Sequence, residues 1–157
     1  MRNFFIVILC VVFLSSCDSD FVYGKDADIN PNGWHKDSVL IFETDSLVDL
    51  PEVIKIGFNI RNTTDYFYRN MYLFVEIQVP GRENPIRDTL DHMLMTPDGY
   101  WLEGVEGANI KESIAYYPYA IKDPAKGVYR IKVQQGMRPD ILEEVISVGA
   151  RIEKHDL

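Results

Sequence analysis

Cysteine is nearly absent. The 157 residues hold two, Cys10 and Cys17, and none follows position 17. The body of the chain therefore has no disulfide and no thiolate zinc site, and must hold itself together by packing. Histidine is equally sparse. His35, His92 and His155 lie far apart, none at metal-ligand spacing from another. Positive charge is outweighed, with 16 Lys and Arg against 24 Asp and Glu and a net charge of −8. Such a chain repels nucleic acid and anionic lipid headgroups. No segment keeps a long 3.6-residue period, and there is no internal repeat. No nucleophile elbow or metalloprotease helix occurs. The one long apolar run, from Phe4 to Leu14, is too short to span a bilayer comfortably, which takes about 20 residues.

That run is nonetheless the most informative stretch present. Arg2 supplies a small positive region ahead of it, and Leu14-Ser15-Ser16-Cys17 follows it. Charge, short apolar core and small residues before a cut are the order of a secretory signal peptide. With the cysteine at the cut, Leu-Ser-Ser-Cys resembles a bacterial lipobox, in which the thiol takes a diacylglyceryl group. Cys10 is a poor alternative, because bulky Ile8 and Leu9 precede it. Residues 1–16 are thus expected to be a lipoprotein signal peptide, with Cys17 as the lipidation site. Several fatty acyl chains, palmitate among them, would make the anchorage stable where one chain is marginal. Removal of Arg2 with the leader takes the net charge to −9, so the lipid and not a basic patch must hold the membrane.

Residues 17–37 are expected to be a flexible, acidic tether. Asp18, Asp20, Asp26, Asp28 and Asp37 alternate with Gly24, Asn30, Pro31, Asn32 and Gly33. Phe21, Val22, Tyr23 and Trp34 are the residues that would dock part of it. The folded domain is expected over 38–157. Val39 to Glu43 is β-branched and aromatic. Ile54, Ile56, Phe58 and Ile60 alternate with Lys55, Gly57, Asn59 and Arg61, the period of a half-buried strand. Met71, Leu73, Val75, Ile77 and Val79 repeat the pattern against Tyr72, Phe74, Glu76 and Gln78. Further strands are expected at Ile86 to Met95, within Tyr100 to Ala108, and at Ile110 to Tyr119. Val128 to Gln135 has Tyr129, Ile131 and Val133 inward, and a last strand carries Ile146, Val148, Ala150 and Ile152. Pro80-Gly81 and Thr96-Pro97-Asp98-Gly99 are turn signals. Arg138 to Glu144 is expected to hold one helical turn, with Pro139 at its start. Seven or eight short strands between turns predict an all-β, antiparallel β-sandwich, Ig-like or jelly-roll-like.

Candidate chemistry is thin. Asp26-x-Asp28-x-Asn30-x-Asn32 resembles half a calcium loop, but position six is Pro31 and position twelve is Asp37. A solvated linker is the expectation there, and no metal or other cofactor. Glu103 and Glu106 near Trp101 are too weak a pair to predict glycosidic chemistry. Aromatic clusters are more telling. Tyr66-Phe67-Tyr68 with Tyr72 and Phe74, and Tyr116-Tyr117-Pro118-Tyr119, either fill the core or form an exposed contact surface. Trp101, Tyr116, Tyr117, Tyr119, Tyr66 and Tyr68 are the candidate interaction residues.

Taken in order, these residues resemble the GldH gliding-motility lipoprotein family of Bacteroidetes. The resemblance starts at Cys17 and Trp34, passes through Arg61-Asn62, Tyr66 to Asn70 and Asp88-Thr89-Leu90, and includes Gly99-Tyr100-Trp101. It ends with Gly127-Val128-Tyr129, Gln135-x-Met137-Arg138 and Val148-Gly149-x-Arg151-Ile152-Glu153-Lys154. After the tryptophan the family is richer in glycine than Leu102 to Gly107 here. The resemblance implies a lipid-anchored cell-envelope protein needed for gliding and linked to type IX secretion. It implies the outer membrane, with the periplasmic face favoured, and no catalytic residues. The expected partners are the membrane and envelope proteins of the gliding and secretion machinery. A glycan-binding sandwich that uses Trp101 and the tyrosines is the alternative. A groove of coplanar aromatics would mark it, where a flat patch would mark protein contact.

Overall fold

The computed structural model describes residues 20–104 and 107–156. Its organising strand is Val53–Thr63, numbered β4 below. Ile54, Ile56, Phe58 and Ile60 are fully buried along it, as their period of two requires. In chain order the strands are β1 (Phe21–Asp28), β2 (Trp34–His35), β3 (Leu40–Glu43), β4 (Val53–Thr63), β5 (Asn70–Gln78) and β6 (Ile86–Met93). They continue as β7 (Ile110–Tyr116), β8 (Ile121–Lys122), β9 (Arg130–Gln135), β10 (Ile141–Leu142) and β11 (Val145–Lys154). All pair antiparallel, nine of them in two main sheets. One runs β1-β11-β4-β7, with β8 also on β4, and the other runs β3-β9-β5-β6. A β2–β10 pair stands apart.

The two inner faces make one core. Ile56, Phe58, Val148, Ala150 and Ile152 come from the first sheet. Phe42, Leu73, Val75, Ile77, Ile131 and Val133 come from the second. This is the expected β-sandwich. The strand count is eleven rather than seven or eight, because three of the strands are two-residue pairs.

Three expectations change. Residues 21–37 are not a flexible tether but part of the domain. β1 forms an edge of the first sheet, with Tyr23 opposite Ile152 and Ala27 opposite Val148. Trp34 is 2% exposed and donates from Nε1 to the Ser38 carbonyl, 2.9 Å away. An edge strand needs only a few inward apolar residues and tolerates outward charge, so its acidic composition hides it. Second, Arg138 to Glu144 forms no helical turn. Ile141 and Leu142 pair with His35 and Trp34, and Glu144 turns the chain at a φ of +66°. That pairing spans the chain, and it outweighs the local preference. Third, within Tyr100 to Ala108 the described pairing is the single bridge from Trp101 to Met95.

β7 is a strand as expected, but with its polar side inward. Lys111, Ser113 and Ala115 are buried, while Ile110 and Tyr116 are exposed. β11 carries a register shift between Val145 and Ser147, after which Val148, Ala150 and Ile152 face the core.

Strand direction defines two ends. β1 and β4 begin at one end, where β7 and β11 finish. Tyr23 reaches the Glu43 carbonyl there at 3.4 Å, and Leu47 bridges Gly127. The other end holds the β4–β5 connection and the β2–β10 pair.

Candidate functional site

The second sheet's outer face sets two aromatic rings of β5 among polar and charged side chains of β6 and β9. On β5, Tyr72 and Phe74 alternate outward from buried Met71, Leu73 and Val75, and Phe74 is 48% exposed. Gly136 lies beside both rings, its N–H donating to the Tyr72 carbonyl at 2.7 Å. A side chain there would come within 3.2 Å of both Tyr72 Cβ and Phe74 Cζ, so glycine makes the room. Tyr68 and Met137 extend the surface around a depression of about 430 Å³. Val39 and Ile41 add exposed apolar area on the β3 side, and Met93 on the β6 side. A neighbouring groove of about 640 Å³ runs from Val39 past Phe74 to Arg87. Its border is an ion ladder across three strands: Lys132 Nζ and Arg87 Nε lie 2.7 and 2.8 Å from the Glu76 carboxylate. The bond from Lys132, then that from Arg87, holds Glu76 below the usual carboxylate range. The face is thus a short aromatic stripe flanked by polar and charged side chains on the neighbouring strands.

Phe67 stands at the distal tip of this stripe, 87% exposed, with its ring edge-on to Tyr68 at 5.3 Å. Tyr66 beside it is not available for contact. It is 3% exposed, and its hydroxyl donates to the Asn70 carbonyl at 3.0 Å. Burial pushes that hydroxyl well above the ordinary tyrosine range.

The first sheet's outer face is different. Arg151 sits between Gly24 and Gly57 across the strands, and Gly149 sits between Asp26 and Asn59. The missing side chains let polar groups lie flat. Asn59 donates to Asp26 at 3.0 Å over Gly149, and Arg151 reaches Asn59, Glu153 and the Phe21 ring. Lys55 sits 4.5 Å above the Tyr116 ring, whose hydroxyl donates to Glu153 at 2.9 Å. Arg61 pairs with Glu112 at 2.8 Å. The charges on this face largely satisfy one another.

The remaining candidate aromatics scatter. Tyr117 and Tyr119 stack edge-on at 5.6 Å at the end where β7 finishes, and Trp101 is half-buried against the core. Tyr116, Tyr117 with Tyr119, and Tyr68 therefore occupy one outer face and opposite ends, and do not share a groove. Sequence reading missed one polar pair. His92 Nε2 lies 2.9 Å from Ser113 Oγ between the edge strands β6 and β7. Burial holds His92 below the ordinary histidine range, against Glu103 and Asp91, which pull it up. Ser113 is buried, out of reach of a macromolecular substrate. Among the described residues no group of three or more His, Cys, Asp or Glu is placed to hold a metal. Cys17 and Glu106 lie outside the described residues.

The family model of the GldH lipoprotein matches residues 21–152. A gliding motility lipoprotein GldH homolog of Christiangramia forsetii is 39% identical over 159 residues, 97% of this chain and 95% of that protein. Gliding motility lipoprotein GldH of Flavobacterium johnsoniae is 32% identical over 163 residues, 99% of each. Among solved structures, a family GH115 4-O-methyl-α-glucuronidase with specificity for decorated arabinogalactans superposes with a TM-score of 0.50 at 14% identity. It covers 90% of this chain but 18% of that one, and the likeness is one of fold.

Proposed function

The chain belongs to the GldH lipoprotein family, and from that premise we propose that it is a non-enzymatic adaptor of the gliding machinery, held in the cell envelope by lipid on Cys17. The proposal places it at the outer membrane with a link to type IX secretion, which the family resemblance supports, and favours the periplasmic face. The observation that carries the adaptor reading is the stripe formed by Phe67, Tyr68, Tyr72 and Phe74 on the second sheet. A face of this kind suits a protein partner, because aromatic rings bury large area at low entropic cost. The first sheet's ion-paired outer face offers no comparable anchor. The scatter of Trp101 and the tyrosines takes away the support for a glycan platform.

The test is in-cell crosslinking followed by capture from solubilised membranes. A photoreactive group at Phe67 should retrieve a component of the motility or secretion machinery. Phe74→Asp should weaken that capture at least about tenfold, the equivalent of ~1.4 kcal/mol. Its melting point should stay near wild type, because Phe74 points away from the core. Capture unchanged by Phe74→Asp would overturn the stripe as the contact surface.

A further inference from the structure

The position of Phe21 fixes how the domain meets the membrane. It is four residues beyond Cys17 and already lies in β1, paired with Glu153. Four extended residues reach at most ~14 Å. The ten residues of β11 span about 33 Å. With lipid on Cys17, the end where β1 begins is therefore held close to the bilayer. The opposite end cannot be turned onto the surface, because the leash is less than half the length of the sandwich.

That near end has the composition of a contact zone. Tyr119 is 67% exposed, and Val48 and Val128 are exposed as well. Tyr119 follows Pro118 in the β7–β8 connection, which β8 holds against β4 by pairing Ile121 with Ile54 and Lys122 with Val53. Asp123 N–H donates to the Glu52 carbonyl at 2.8 Å, which fixes the loop beside the start of β4. Lys122 and Lys126 are offset by Asp45, Asp49, Glu52 and Asp123, so no basic patch drives the contact. Tyrosine suits the headgroup zone, with an apolar ring and a polar tip.

We propose that this end, with Tyr119 and Val48 foremost, rests on the bilayer surface, and that the strands stand along the membrane normal. The occupant is the membrane into which the chain's own lipid inserts. The aromatic stripe then faces sideways in the half of the domain away from the lipid, because β5 runs from the far end at Asn70 toward the near end at Gln78. The proposal rests on lipidation at Cys17, as the adaptor reading does.

The test uses the mature, lipidated protein in vesicles of phosphatidylethanolamine and phosphatidylcholine with a trace of headgroup-labelled energy acceptor. Once Cys10 is cleaved off and Cys17 acylated, an introduced cysteine is the sole thiol. Ala120→Cys, Asp28→Cys and Phe67→Cys leave Tyr119 and Val48 in place, and Ala120 is exposed beside Tyr119. Each is labelled with a donor fluorophore and checked for an unchanged melting point. Position 120 should be quenched at least about threefold more than 67, which lies ~30 Å further along the strands, and more than 28. Equal or reversed quenching between 120 and 67 would overturn the orientation. Quenching at 28 as strong as at 120 would overturn it in favour of a domain lying on its β1 edge. Failure of the wild-type protein to float with vesicles would overturn the lipid anchor and the orientation together. Flotation with the wrong order would overturn the orientation alone.

Discussion

A methyl group on Gly149 would sit 1.9 Å from Asp26 Oδ1 and 2.7 Å from the Lys25 carbonyl oxygen. The carboxylate can swing away, but the backbone oxygen of the paired strand cannot. Gly149→Ala should therefore cost about 1–3 kcal/mol, read as a lower urea midpoint, and Asp26→Ala in the same chain should restore part of it. An unchanged midpoint would mean that β1 does not lie on β11 as described. His92 gives a prediction in pH. Its folded pKa is depressed, chiefly by burial, so the unfolded chain takes up its proton first as pH falls. Stability is then fully present above the unfolded value of about 6.5 and declines as pH drops through it toward the folded value. Urea midpoints taken from pH 7.5 to 5.5 should fall for wild type and fall less steeply for His92→Gln. Matching slopes would assign the dependence to other groups.

Strand β1 separates two accounts of the N-terminal region. If residues 21–28 were a tether, a chain starting at Ile29 would keep its stability within ~0.5 kcal/mol. In the structure β1 covers the flank of β11 and brings Val22, Tyr23 and Ala27 against the core. Its removal should cost roughly 2–4 kcal/mol of buried apolar surface, and it should leave β11 as a bare edge prone to self-association. Calorimetry and light scattering on the shortened chain measure both effects. This strand also shows where sequence patterning stops. β4, β5 and β9 are legible residue by residue, because both of their flanks are paired and the apolar side must alternate. β1 and β7 are edges, where one side is open. There the acidic run of β1 passes for linker, and β7 turns Lys111 and Ser113 inward against its own isoleucines. The pairing of Ile141 and Leu142 with His35 and Trp34 is invisible locally, since it joins segments about a hundred residues apart. The candidate surface divides the same way. The shared side of Tyr72 and Phe74 follows from period two, whereas the contributions of Gly136, Val39 and Ile41 depend on which strands pair.

At the scale of the whole molecule, the proposed lipid anchor and the proposed recognition stripe occupy different parts of the chain. Without its leader the chain would carry a net charge of about −9, so simple electrostatics would push it off an anionic surface. The proposed anchor is apolar, and each buried methylene of an acyl chain contributes about 0.8 kcal/mol. That assigns opposite responses to salt and to the loss of one sulfur. A wash in high salt should leave the wild-type protein in the membrane fraction, because no counter-ion competes with an acyl chain. Cys17→Ala should lower the membrane-bound share at least about tenfold, although its domain folds with an unchanged melting point. Release of wild type by salt would instead point to a charged docking partner as the anchor. Retention of Cys17→Ala would point to the uncleaved apolar run from Phe4 to Leu14. Mass measurement of the membrane form separates those cases, because the lipidated chain loses residues 1–16 and gains the mass of its acyl groups. The intact leader would appear unmodified.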